Sequence, residues 1–164
     1  MAEISWQVKH FNELTVPEYH DLLFLRIEVF VIEQDCPYQD VDNKDKVAYH
    51  VFGTNNKNET VAVARILPQN VSYPEISIGR IAVDKNNRGT GIADDLMNTC
   101  FDFIETQFGK QPIRISAQQY LLNFYSRHSF KQVSEMYLED NIPHIEMLRS
   151  LPNLSKGGGQ IRPK

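Results

Sequence analysis

The six residues Arg88-Gly89-Thr90-Gly91-Ile92-Ala93 are the stretch of this 164-residue chain best suited to hold an anion. They follow an apolar run, Ile76–Val83. They precede a segment in which Ile92, Leu96, Met97, Cys100, Phe101, Ile104 and Phe108 recur at the spacing of one helical face. The pattern predicts a strand, a turn and a helix. The first turn of a helix leaves about four backbone N–H groups without partners, and the helix dipole adds positive potential there. Gly89 and Gly91 remove side chains that would keep a phosphate away from those groups. Arg88 adds a planar donor suited to phosphate oxygens. The same residues also suit an ordinary strand-to-helix turn that needs glycine for its dihedrals. Two nucleotide motifs are excluded, because no Gly-Lys-Ser/Thr follows and the three-glycine dinucleotide spacing is missing. Gly79, inside the strand, marks a bulge or a close approach by a ligand.

Read as Arg88-x-x-Gly91-x-Ala93, the turn resembles the Gln/Arg-x-x-Gly-x-Gly/Ala pattern of the GNAT superfamily of acyl-CoA-dependent N-acetyltransferases. Further segments resemble its ElaA-like branch: LRIEVFVIEQDCPYQDVDNKD (Leu25–Asp45), VAVARIL (Val61–Leu67), IGRIAV (Ile78–Val83), NFYSRHSF (Asn123–Phe130) and EDNIPHIEM (Glu139–Met147). Together they run from about Trp6 to about Leu148. Ser129 and Asn141 depart from the pattern, standing where glycine is expected.

The resemblance implies acetyl-CoA as acyl donor, its pyrophosphate on the loop and its pantetheine along the preceding strand. The implied donor-binding residues are Ile81, Ala82, Val83, Arg88, Gly89, Thr90, Gly91, Ile92, Ala93, Asn123 and Tyr125. Tyr125 is implied as the general acid for the departing thiolate, although a Phe-Tyr pair on a short apolar helix is also ordinary core. Two groups could serve as base. Glu75 and Ser77 share a strand face with Gly79 and Ile81 by alternation, and Ser77 stands where some family members carry a carboxylate. His144 has a ring that accepts a proton near neutral pH.

The acceptor groove is expected from the first helix, the acidic loop after it and the turn between the last strands. Arg26, Glu28, Glu33, Asp40 and His144 are its candidate walls. Carboxylates there would attract a protonated amine. Arg26 would instead require a carboxylate on the acceptor, or full pairing with Glu28 or Glu33.

The rest of the chain must position these groups. Ile4, Trp6 and Val8 alternate as a short strand, and Thr15-Val16-Pro17-Glu18 opens a helix through a capping box. The polar Glu33–Asp45 stretch, with five acidic residues, reads as a functional loop without the rhythm of a calcium site. Strands follow at Val47–Thr54 and Glu59–Leu67, then at Pro112–Ala117 beyond Gly109. A short helix over Leu121–Ser126 and closing strands at Lys131–Tyr137 and His144–Leu148 complete the order. This predicts an α/β (α+β) fold: a mixed, mostly antiparallel twisted sheet with a central parallel pair and helices on both faces. The GNAT resemblance implies the same fold. Residues 1–154 read as one domain and 155–164 as a flexible glycine-rich cationic tail.

A net charge of −4 and a charged content of 23% argue against a nucleic-acid binder. Two cysteines make no disulfide framework or metal finger, and no metal is expected. Without a membrane-length apolar run or a signal-peptide pattern, a cytoplasmic protein with no membrane partner is expected. The expected activity is N-acetylation of a primary amine on a small molecule or peptide, with a homodimer left open. The alternatives are a non-catalytic acyl-CoA sensor and an acyltransferase like the acyl-homoserine-lactone synthases, whose Arg-x-x-Val-Phe element resembles Arg26–Phe30.

Overall fold

Two amphipathic helices divide the apolar residues of one sheet between them. The computed structural model describes residues 3–151. The expected end of the domain at residue 154 and the tail 155–164 lie outside that range. Strand β1 (Ser5–His10) leads to α1 (Val16–Ile27), whose capping box forms as its sequence predicts. Thr15 Oγ1 accepts from the Glu18 N–H at 3.2 Å, and Glu18 Oε1 accepts from the Thr15 N–H at 2.9 Å. The helix then widens into a π-helical turn, Glu28–Glu33, which the sequence did not announce. After the acidic loop come β2 (Tyr49–Thr54), β3 (Thr60–Leu67) and β4 (Ile76–Val83). Next are α2 (Ile92–Phe108), β5 (Ile113–Gln118) and the short α3 (Leu122–Arg127). The chain closes with β6 (Phe130–Gln132), β7 (Tyr137–Glu139) and β8 (Ile142–Arg149).

The sheet runs β1-β2-β3-β4-β5-β8-β6, with β7 also paired to β8. Only β4 and β5 are parallel, as expected of a strand–helix–strand unit. One face buries Ile66, Ile76, Ile78 and Ile115 against Leu96, Met97, Cys100 and Ile104 of α2. The other packs Phe52, Val63 and Ala82 against Leu22, Leu25 and Val29 of α1. No described helix is long and apolar enough to cross a membrane.

The predicted strand Lys131–Tyr137 is in fact two. Ser134 Oγ takes the Glu146 N–H at 2.8 Å, so a side chain replaces a ladder bond and splits β6 from β7.

Candidate active site

The parallel pair is short. β4 meets β5 only at Ile76–Ile113 and Ser77–Arg114, and beyond Ser77 the two strands separate. A cleft of about 790 Å³ opens at the split, with Gly79, Ile81 and Val83 on one side and Ile115, Ser116 and Gln118 on the other. The β5-facing edge of β4 beyond Ser77 therefore carries main-chain donors and acceptors without a strand partner, a ready surface for an extended amide-bearing ligand.

Gly79 introduces the bulge that its type predicted. On β3, Val63 pairs with Ala82 while Arg65 pairs with Gly79, so β4 holds one extra residue. Arg80 absorbs it at φ +49°, in the left-handed region. The extra residue corrects the alternation read from sequence. Ile81 and Val83 join Ile76 and Ile78 on the α2 side, while Ala82 faces α1. Ser77 and Ile81 thus lie on opposite faces.

The loop from Arg88 fits an anion. Gly89 and Gly91 have φ of +76° and +86°, and a Cβ on either would meet open space. Gly91 is the N-cap of α2 and offers no side-chain cap, so the first-turn N–H groups stay free for a ligand. Thr90 Oγ1 is committed to the Asn87 carbonyl at 2.7 Å. Ile92 sends its side chain into the core and leaves only its backbone to the loop. Ala93 lines the cleft, whereas Asn123 is exposed and does not.

The Arg88 guanidinium is already engaged. Its Nη atoms lie 3.0 and 2.7 Å from the two carboxylate oxygens of Glu33, and its Nε donates to the Val83 carbonyl at 3.0 Å. Glu33 lines the cleft as expected of a wall residue, and its carboxylate also ties the π-helical turn to the anion loop.

Tyr125 is 5% exposed and lines the cleft. Burial raises its pKa well above the ordinary phenol value, so it stays protonated at neutral pH. Among the described residues its hydroxyl makes no hydrogen bond, although its ring packs edge-on against Phe124 and Phe130. His144 also reaches the cleft. Its Nδ1 lies 2.7 Å from the Ile142 carbonyl, which only accepts, so Nε2 is the nitrogen left to exchange a proton. Nε2 is 3.3 Å from Glu139.

Of the loop residues between Arg88 and Ala93 none borders the cleft, and neither do four of the expected catalytic and acceptor residues. Glu75 gives both carboxylate oxygens to Arg114, at 2.9 and 3.0 Å, and those bonds lower its pKa; it is poorly placed as a base. Arg26 is 1% exposed and pairs with Asp40 and Asp45, at 2.8 and 3.0 Å, rather than with Glu28 or Glu33. Asp40 is spent on Arg26 and on Arg80, whose Nε lies 2.9 Å away. Glu28 is exposed at the start of the π-helical turn and touches no part of the cleft. The acidic loop is therefore an anchored wall: Asp40, Asp42 and Asp45 neutralise Arg26, Arg65 and Arg80.

Sequence reasoning missed the polar floor of the cleft on the β5–β8 side. Ser116 Oγ and the Tyr137 hydroxyl are 2.5 Å apart, and the Tyr137 ring stacks on His144 with centroids 6.1 Å apart. Tyr73 joins this hydroxyl group; burial, then Tyr137 and Glu146, push its pKa up to about 12. Alternation along β5 puts Ser116 out of the core, but no periodic signal brings Tyr73 and Tyr137 to it.

The Acetyltransferase (GNAT) domain model matches residues 15–151. The ElaA protein of Escherichia coli is 40% identical over 150 residues, spanning 90% of this chain and 97% of that protein. The crystal structure of an acyl-CoA N-acyltransferase from Pseudomonas aeruginosa superposes with a TM-score of 0.85 at 37% identity, over 90% of this chain and 100% of that one. The acyl-homoserine-lactone synthase LasI shares the fold with a TM-score of 0.74, at 13% identity over 90% of each chain.

Proposed function

We propose a function from one premise: this chain belongs to the GNAT acetyltransferase family. The protein transfers the acetyl group of acetyl-CoA to a primary amine of a small molecule or peptide, by direct attack of the amine on the thioester. One observation carries this reading. The unpaired edge of β4, the uncapped start of α2 and the free hydroxyl of Tyr125 border one cleft.

The first-turn N–H groups of α2 and the open space at Gly89 and Gly91 hold the pyrophosphate. The free edge of β4 pairs with the amide groups of the pantetheine arm, and a backbone N–H near Gly79–Ile81 stabilises charge developing on the thioester oxygen. A carbon–nitrogen bond forms to the amine as the carbon–sulfur bond breaks. His144 Nε2, directly or through water, takes the surplus proton from the amine nitrogen. Tyr125 gives its proton to the departing sulfur and is reprotonated from solvent.

Two variants test this. Tyr125→Phe keeps the ring and removes only the hydroxyl. It is expected to lower kcat about 10²-fold, the usual scale for general acid catalysis, with acetyl-CoA affinity unchanged. Gly91→Glu sets bulk and negative charge at the anion loop and is expected to abolish acetyl-CoA binding by calorimetry. A folded Gly91→Glu protein of native affinity, or a full-rate Tyr125→Phe enzyme, would refute the corresponding assignment.

A further inference from the structure

The cations that border the cleft are Lys44, Arg65, Arg80 and Arg88. Asp42 and Asp45 neutralise Arg65, Asp40 and Asp42 neutralise Arg80, and Glu33 neutralises Arg88. Lys44 differs. Among the described residues no carboxylate lies within 4.0 Å of its Nζ, which donates instead to the neutral Ser72 Oγ at 2.8 Å. An ammonium carries three donors, so two remain for a ligand.

Lys44 is exposed, and its backbone is fixed from below. Its backbone N–H donates at 3.0 Å to Oδ1 of Asp42, the N-cap of the 3₁₀ turn Asn43–Val47. Asp45 of the same turn is 1% exposed and bonds Arg26, Arg65 and Tyr19. From Ser72 the lining continues through Tyr73 to Ser116, whose Oγ meets the Tyr137 hydroxyl behind it, and then to His144 and Glu139. A row of neutral hydroxyls therefore separates an unneutralised ammonium from a carboxylate beside the proton-accepting histidine.

Resting on the acetyltransferase reading above, we infer that the acceptor carries a carboxylate at the end remote from its reacting amine, as an ω-amino acid or a short peptide does, and that Lys44 recognises this carboxylate. The amine then lies toward His144 and Glu139, and the hydroxyl row accommodates the polar atoms between. The reverse orientation would set the acceptor's carboxylate against Glu139 and its ammonium against Lys44, which like-charge repulsion opposes.

The test compares a series of ω-amino acids and short peptides of increasing length with their terminal carboxamides as acetyl acceptors. The acids are expected to be preferred by about tenfold in kcat/KM, through KM, the scale of one charge-assisted hydrogen bond at a partly solvated site. Lys44→Gln should remove most of that acid-to-amide ratio, and Lys44→Arg should keep it. Carboxamides used as well as acids, or a ratio indifferent to Lys44→Gln, would overturn the inference. A second arm needs no turnover: ligand-observed NMR of the CoA-loaded protein with the same acids and amides. Acid binding that Lys44→Gln weakens supports the inference, and binding that it leaves unchanged overturns it. Native acetyl-CoA affinity without transfer to any acceptor would count instead against the acetyltransferase reading.

Discussion

Ser129 stands two residues past the end of α3 with φ +70°, and its N–H donates to the Ser126 carbonyl at 3.1 Å. That is the left-handed position after a helix where glycine is preferred, because a Cβ there costs about 1–2 kcal/mol. Ser129→Gly is therefore expected to raise stability by about 0.5–1 kcal/mol, the relief less the added freedom of the unfolded chain, as a shift in the urea midpoint. Asn141, at φ +62°, should gain less from the same change, since asparagine tolerates this region. Both positions were legible in the sequence as places where glycine was due. The fate of Arg26 was not. Its partners Asp40 and Asp45 lie 14 and 19 residues on, and only tertiary packing brings a loop that far back over its own helix. A charged residue within an apolar run reads equally well as solvent-facing, groove-lining or buried and paired.

At the scale of elements, what had a period could be read. The strand before the anion loop, the long α2 and the capping box of α1 formed where their patterns placed them. Features made by one inserted residue have no period: Gly79 marked a bulge but not the change of face it imposes on Ile81, and the π-helical turn Glu28–Glu33 was hidden. The π-helical turn ends on Glu33, and the ion pair to Arg88 makes it a brace for the anion loop. Glu33→Gln is therefore expected to weaken acetyl-CoA binding by about threefold, since a pair this exposed contributes under about 1 kcal/mol. Arg88→Gln should do the same, and the double variant should bind no worse than either single one, because the two act through one contact. Calorimetry on the four proteins decides it. Additive losses, or a Glu33→Gln enzyme changed only in acceptor KM, would return Glu33 to the acceptor groove.

Across the whole molecule, the pairs among Arg26, Arg65, Arg80, Asp40, Asp42 and Asp45 join α1, the acidic loop, β3 and β4 on the cleft side of the sheet. Such a network adds little over a well-packed apolar core, but breaking one member strands a buried charge. Burial alone would raise the pKa of Asp45, yet the charge and hydrogen bonds of Arg26 and the bond from Arg65 lower it below its ordinary value of 3.8. Asp42 is lowered in the same way, burial being outweighed by Arg65 and then Arg80. A carboxylate whose folded pKa is depressed contributes stability that is fully present above its unfolded pKa. That contribution is lost as the pH falls through the folded value. The protein should hold its stability down to about pH 4 and lose it steeply below, as these groups protonate. Asp45→Asn keeps the shape but leaves Arg26 short of a counter-charge at a site 1% exposed. It is expected to cost about 3–5 kcal/mol at pH 7 and to flatten the acid limb of the stability curve, measured by urea unfolding from pH 3 to 7. A loss under about 1 kcal/mol with an unchanged acid limb would mean that water or a rearranged Asp42 compensates Arg26. The acidic loop would then be held by its packing rather than by its charges. Lys44, carried on the turn that Asp45 anchors, makes this a functional matter as well as a structural one, because its ammonium can meet an acceptor's carboxylate only if that turn stays in place.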